Sequence, residues 1–214
     1  MGLDMSLKIK RKPVKGRPKN SKFETPVVRE YFSVDNEPVT FDLPDINTGK
    51  FGPQLKPKKG KENMLAYCLI TYELAYWRKA NAIHKWFVDN VQKGNDNCEE
   101  YRVTRRNLLD LCDLVSDVLD HCELKDGKVR NGYQFKKFLW FHYKKYNKVD
   151  GKVLTKDSIK YCQEKLPTQK GFFFGSIDYD EHYYNDLVYT KERLSYILEN
   201  YNLSEDKIYY SSSW

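Results

Sequence analysis

Ring, amide, imidazole and cationic side chains are grouped between residues 77 and 86 of the 214-residue chain. At 100° per residue, Trp77, Asn81 and His84 form one stripe along a helix. A stacking ring beside an amide and cations can hold a phosphate or a base. The predicted ligand-binding set is Trp77, Arg78, Lys79, Asn81, His84, Lys85 and Phe173. The alternative is that the polar members are hydrogen-bonded groups at the core edge and that the cations are solvated.

Carboxylates near residue 180 form a second group. Asp178, Asp180 and Glu181 could bind Mg²⁺ or Mn²⁺, since both ions accept carboxylate oxygens. The alternative is structural, because Asp178 and Glu181 have the spacing of a capping box and acids complement the dipole of a helix's first turn. The four His residues have no ligand-like spacing. We therefore assign no metal and no cofactor, and keep the three carboxylates as weaker candidates.

Lysines are interleaved with aromatic residues between positions 136 and 146. Phosphate contacts combined with stacking would suit a surface for single-stranded nucleic acid. The same residues also fit an amphipathic helix whose lysines face solvent. No nucleophile elbow, P-loop, zinc-protease motif or dinucleotide-binding glycine motif is present, so nothing in the sequence requires an enzyme.

The N-terminal segment accounts for the whole charge imbalance of the chain. Residues 1–22 hold eight basic residues and one acid, a net charge of +7, which equals the net charge of the entire chain. Residues 23–214 balance at 29 basic against 29 acidic residues. Residues 8–22 have almost no apolar content, so this basic segment is predicted to be disordered when free and to bind polyanions.

Within this arm, Gly16, Arg17, Pro18 and Lys19 resemble an AT-hook. The resemblance implies that Arg17 enters the narrow minor groove of A·T-rich DNA while Lys15 and Lys19 lie near phosphates. The predicted nucleic-acid-binding residues are Lys10, Arg11, Lys12, Lys15, Gly16, Arg17, Pro18 and Lys19. The alternatives are a general polyanion tail and a protein-docking tail.

The apolar periodicity predicts a mainly α protein: a compact helical domain with a few short strands and an extended basic N-terminal arm. Helices are expected over residues 62–92, 104–122, 155–166 and 178–201, whereas residues 134–146 fit either a helix or a strand. The predicted divisions are a disordered arm (1–25), an irregular Pro- and Gly-rich linker (26–61) and a helical body (62–214). The longest apolar stretch is too short to span a bilayer, so no membrane is expected.

The body also resembles an uncharacterised family of small proteins of tailed bacteriophages. The segments that support this are YWRKANAIHKWF (76–87), LPTQKGFFFG (166–175) and YSSSW (210–214), and residues 123–160 resemble an insertion. The resemblance implies a phage protein in the host cytoplasm or in the virion, and it implies no catalytic role.

These observations lead to one main hypothesis: a non-enzymatic phage accessory protein that binds duplex DNA through its AT-hook-like arm, with a host or phage protein as a further partner. The alternatives are a nucleotide-sequestering counter-defence protein, a virion protein with a nucleic-acid-facing arm, and a metal-dependent phosphoryl-transfer enzyme.

Overall fold

The computed structural model describes residues 2–11, 25–32, 38–39, 67–138, 140–203 and 206–214. These residues form β1 (Asp4–Arg11), β2 (Thr25–Phe32), β3 (Pro38–Val39), β4 (Tyr67–Arg78), α1 (Asn81–Asn90), β5 (Tyr101–Val103), α2 (Arg105–Asp120), β6 (Leu124–Phe138), β7 (Phe141–Leu154), α3 (Lys156–Lys165), α4 (Glu181–Asn200) and β8 (Ile208–Ser213). The protein is therefore mixed α and β, with two antiparallel sheets. The prediction of a mainly α fold is wrong.

The larger sheet has six strands in the order β3-β2-β4-β1-β8-β5, and every neighbouring pair is antiparallel. β1 lies inside this sheet, between β4 and β8, with Met5 opposite Trp77 on one side and Ser212 on the other. Because β1 is hydrogen-bonded on both edges, it joins β4 to β8 and makes the six-stranded sheet continuous.

The N-terminal strand differs from the arm prediction over residues 4–11. Its apolar residues alternate with polar ones, and the apolar set faces the core: Leu3, Met5, Leu7 and Ile9. On the opposite face, the Lys8 ammonium donates to Ser211 Oγ at 3.1 Å and the Lys10 ammonium to Glu100 Oε2 at 2.8 Å. This period of two is typical of a strand with one buried face, and it determines the structure here despite the basic composition.

The segment predicted as one long helix is a strand followed by a short helix. β4 places Leu74, Ala75 and Trp77 in the core and leaves Arg78 exposed. Lys79 has a φ of 64°, and this left-handed residue turns the chain into α1. The helical prediction failed because β4 pairs with β1 and β2, which are distant in sequence, and a short apolar run does not distinguish the two structures.

The later helices begin where polar caps favour them. The Thr104 hydroxyl accepts from the Asn107 backbone N–H and caps α2, and the Thr155 hydroxyl accepts from that of Ser158 and caps α3. The Asp180 carboxylate accepts from two backbone N–H groups and caps α4, so this helix starts later than the predicted position 178. The buried stripes of α2 and α4 pack into the core, with Leu111, Val115 and Leu194 fully buried.

The second sheet is a long hairpin of β6 and β7, in the region that sequence analysis assigned to an insertion. Its register runs from Leu124 opposite Leu154 to Phe138 opposite Phe141, with a bulge between Arg130 and Tyr133. Gly132 lies in the bulge with a φ of 74°, a conformation that glycine adopts without strain. The base of the hairpin contacts α4 and forms a bridge between Val153 and Asp180, while the described side chains of its outer half are exposed.

Candidate functional site

A cleft of about 1150 Å³ lies between the β4–α1 junction, the loop of residues 168–178, the first turns of α4 and the base of the hairpin. Four cationic residues of different elements line it: Arg78, Lys79, Arg130 and Lys170. Three carboxylates line it as well: Asp178, Asp180 and Asp186. The structure thus brings together residues from both groups that the sequence singled out.

The first predicted group divides between the core and the cleft. Trp77 is buried, and its Nε1 donates to Thr190 Oγ1 at 2.8 Å. Arg78 and Lys79 are exposed and line the cleft, as does Phe173. Since residues 77 and 78 belong to a strand, the helical stripe assumed from the sequence does not exist.

Asn81 is a buried clamp for the loop of residues 168–178. Its Nδ2 donates to the carbonyls of Phe174 at 2.9 Å and Ser176 at 2.7 Å, and its Oδ1 accepts from the Gln169 backbone N–H at 2.9 Å. Both amide hydrogens and one lone pair of the amide oxygen are thus engaged by the loop. Asn81 therefore shapes the cleft wall and leaves ligand contact to its neighbours.

His84 is fully buried and joins the C-terminal strand to the body. Its Nδ1 lies 2.7 Å from the Tyr210 hydroxyl and its Nε2 lies 3.0 Å from Asp96 Oδ2. The other oxygen of Asp96 accepts from Trp214 Nε1 at 3.0 Å. Burial raises the pKa of Tyr210 well above its usual value, and the nearby Asp96 charge adds to this. His84 thus matches the core-edge alternative, and Lys85 forms an exposed ion pair with Asp89 at 2.6 Å.

Each predicted metal-binding carboxylate has a partner in the protein. Asp178 forms an ion pair with Arg130 at 2.6 Å, Asp180 caps α4, and Glu181 Oε2 accepts from the Lys152 backbone N–H at 3.2 Å. Among the described residues, no group of three or more His, Cys, Asp or Glu side chains is placed to hold a metal ion.

Asp186 is a further carboxylate of the cleft, and it belongs to the same acidic stretch of the sequence as Asp178 and Asp180. Burial raises its pKa to about 7, and the nearby Asp180 charge adds to the shift. In α4, Asp186 lies three residues after the buried Tyr183 and directly before the buried Leu187.

The hairpin is the most basic part of the described structure. Residues 124–154 contain nine Lys and Arg residues but only two Asp residues, a net charge of +7. They also contain seven aromatic residues, and those with the largest exposed fractions are Trp140 (87 %), Phe135 (65 %) and Tyr133 (48 %). The cations of this ribbon can attract a polyanion, and its exposed rings offer apolar contact area.

One face of the hairpin continues into the cleft. Tyr133 and Tyr146 are cross-strand partners with ring centroids 6.1 Å apart, and both line the cleft. The Arg130 guanidinium lies over the Tyr146 ring at 4.5 Å, and Phe135 packs edge-on against Tyr133 at 5.3 Å. Rings and a cation of the hairpin therefore line the same cleft as Arg78 and Lys79.

The charge balance of the body is a sum of two opposite parts. Because residues 23–214 are neutral as a whole and the hairpin has a charge of +7, the rest of that range has a charge of −7. The neutral total conceals this division, although the sequence has eight lysines within residues 124–154. Lys10 and Arg11 of the predicted arm site lie in β1, and the remaining members, Lys12, Lys15, Gly16, Arg17, Pro18 and Lys19, lie outside the described residues.

No protein-family model matches the chain, no curated protein matches its sequence, and no solved structure matches its fold. In the part of the chain that the structure describes, every helix is too short or too polar to cross a bilayer.

Proposed function

We propose that this protein is a non-enzymatic nucleic-acid-binding protein whose main contact surface is the β6–β7 hairpin together with the adjoining cleft. The observation that supports this best is the combination of a +7 charge with exposed aromatic rings on one ribbon. Lysine and arginine would neutralise phosphates and release counterions, while the rings would stack on bases.

The AT-hook-like arm is proposed as a second contact, with Arg17 in the minor groove of A·T-rich duplex DNA. Since β1 ends at Arg11 and β2 begins at Thr25, both ends of the intervening segment are anchored in the sheet. The hook-like residues therefore lie in the sequence between two strands of the same sheet. The phage setting suggested by the resemblance belongs to this proposal as well.

Two variants with equal charge change separate the two contacts. The hairpin variant replaces Lys136, Lys137, Lys144 and Lys145 with Gln, and the arm variant replaces Lys12, Lys15, Arg17 and Lys19 with Gln. Each removes four positive charges, so a difference between them reports on position rather than on net charge. The measurement is fluorescence anisotropy with A·T-rich and G·C-rich duplexes and with single-stranded DNA, over a salt series.

We expect the hairpin variant to lose at least tenfold in affinity for every probe. The magnitude of its slope of log affinity against log salt should fall by up to about 3.6 on duplex DNA, since each of the four lost phosphate contacts changes the slope by about 0.9. The arm variant should lose mainly the preference for A·T-rich duplex. Wild-type affinity in the hairpin variant would overturn the proposal.

A second candidate function is nucleotide binding in the cleft. It is favoured by Phe172, which lines the cleft with an exposed fraction of 90 %, beside the cations Arg78, Lys79 and Lys170. A free nucleotide would place its phosphates on the cations and its base on the ring. A thermal-shift comparison of mono-, di- and cyclic nucleotides tests this, with Arg78→Gln as the variant that should abolish any shift.

A further inference from the structure

We propose that Trp140 inserts between bases of the bound nucleic acid, so that the protein prefers sites whose bases are already unpaired. This inference rests on the proposed nucleic-acid-binding function. It adds a residue, a mode of contact and a class of target, none of which follows from the charge of the hairpin alone.

Trp140 lies at the outer end of the hairpin. The strands pair as far as Phe138 opposite Phe141, and Trp140 lies in the turn between them with 87 % of its surface exposed. An aromatic side chain normally buries 150–250 Å² in a fold or an interface, and this ring buries little in the fold. A tryptophan at the end of a ribbon therefore has most of its apolar surface available to a partner.

The charges around the turn indicate the chemistry of that partner. Lys136 and Lys137 precede Trp140 in β6, and Lys144 and Lys145 follow it in β7. Lys136 and Lys137 are consecutive exposed residues of β6, and side chains of consecutive strand residues point to opposite faces, so cations lie on both sides of the ribbon near the turn. An apolar ring flanked by cations fits a base step whose phosphates lie on either side.

An anionic lipid surface would also accept a Trp and lysines, but the hairpin is poorly shaped for it. Interfacial segments bury their apolar face only about 5–10 Å deep. The aromatic residues here extend from Trp140 to Tyr133, a distance of roughly 20 Å along a strand, and end in the basic cleft. A path of this length matches several nucleotides, which favours nucleic acid over a membrane.

Insertion costs the energy of unstacking the target bases. That energy is smallest where the bases are mismatched or single-stranded and largest within a perfect duplex. The inserted Trp140 should therefore produce a higher affinity for a duplex with a central bubble than for the same duplex fully paired. The lysines contribute to both affinities. The contribution of the ring is therefore the change in the bubble-to-duplex affinity ratio when Trp140 is replaced.

The test compares Trp140→Ala, the conservative Trp140→Phe and the control Trp214→Phe. Trp214 is the suitable control because it is also exposed (45 %) but is held to Asp96 in the body. The probes are a 20-base-pair duplex, the same duplex with a central three-nucleotide bubble, and vesicles of phosphatidylserine and phosphatidylcholine. Affinity is measured by anisotropy, and insertion by quenching of tryptophan fluorescence.

We expect the wild type and Trp214→Phe to bind the bubble more tightly than the duplex, by about tenfold, with strong quenching. Trp140→Ala should lose the preference and the quenching, and Trp140→Phe should keep most of the preference. An unchanged ratio in Trp140→Ala overturns the insertion, and so does vesicle binding that requires Trp140 while nucleic-acid binding does not. The proposed function fails separately, if the four-lysine hairpin variant binds all nucleic-acid probes like the wild type.

Discussion

The body and the hairpin use the same residue types in opposite ways. In the body, Phe87 stacks on Tyr210 with ring centroids 4.0 Å apart, and both rings are fully buried. In the hairpin, Phe135 and Trp140 are among the most exposed side chains of the described structure. Aromatic residues therefore stabilise the fold in one region and remain open to a partner in the other, which composition alone cannot distinguish.

Charge follows the same division. α2 presents four exposed acids at a spacing of three and four residues: Asp110, Asp113, Asp117 and Asp120. The hairpin presents nine basic residues. A polyanion is thus attracted by one region and repelled by the other, although residues 23–214 are neutral in sum, and the proposed nucleic acid would therefore approach from the hairpin side.

The largest expected effect separates the two aromatic sets by stability. Phe87→Ala should lower the free energy of unfolding by about 3–5 kcal/mol, because it leaves a cavity under Tyr210 and Trp77. Phe135→Ala should lower it by less than about 1 kcal/mol, since the ring is already in solvent. Urea unfolding followed by circular dichroism measures both.

The same pair of variants should behave in the reverse order in binding assays. Phe135→Ala should weaken nucleic-acid binding, and Phe87→Ala should leave it unchanged at temperatures where that variant is folded. A loss of stability of several kcal/mol in Phe135→Ala would show that the hairpin ring belongs to the core, and the contrast between the regions would disappear.

A smaller effect concerns the wall of the cleft. Asn81→Ala should lower the free energy of unfolding by about 1–3 kcal/mol, because the carbonyls of Phe174 and Ser176 lose their donor. Hydrogen exchange should rise in the loop of residues 168–178 before it rises in the sheet. Asn185→Ala, an exposed amide of the same cleft, is the control and should change neither measurement.

The helices that could be predicted from the sequence are those with local signals. α2, α3 and α4 each combine a polar cap with apolar residues three and four positions apart, and the structure has helices at all three places. The strands depend on partners far away in the chain. β1 was not predicted because its basic composition suggested a disordered arm. Leu3, Met5, Leu7 and Ile9 nevertheless alternate with polar residues in the pattern of a half-buried strand.

The site was predictable in its residues and not in its arrangement. Arg78, Lys79 and Phe173, which belong to one predicted group, line the same cleft as Asp178 and Asp180. Asn81 is hydrogen-bonded to three backbone groups of the loop. His84 is hydrogen-bonded to Tyr210 and Asp96, so both side chains serve the fold. The hairpin's contribution to the cleft depends on the long-range pairing of Tyr133 with Tyr146, which no local pattern reveals.

A pH effect is expected from Asp186. Its pKa of about 7 lies above the usual value near 4, so the folded protein binds this proton more tightly than the unfolded chain. The stability that the protonated form contributes is complete below about pH 4 and is lost as the pH rises through 7. Asp186→Asn should flatten this decline in urea midpoints measured from pH 4 to 8, whereas Asp113→Asn on the exposed side of α2 should retain it. An Asp186→Asn curve parallel to the wild type would contradict the assignment.

The smallest expected effect compares one acid from each region. Asp110 pairs with Arg106 on α2 at 2.8 Å, and Asp150 pairs with Lys128 across the hairpin at 2.6 Å. Both pairs are exposed, so Asp110→Asn and Asp150→Asn should each change the free energy of unfolding by less than about 1 kcal/mol.

Binding should nevertheless distinguish these two variants, although each removes one negative charge. At physiological salt, charges act over about 8 Å, so only the change within the hairpin lies close enough to a bound phosphate. We expect Asp150→Asn to raise nucleic-acid affinity about twofold and Asp110→Asn to leave it unchanged, as measured by anisotropy at 0.15 M salt. Equal increases in both would mean that net charge governs binding, and that the hairpin has no special place in the contact.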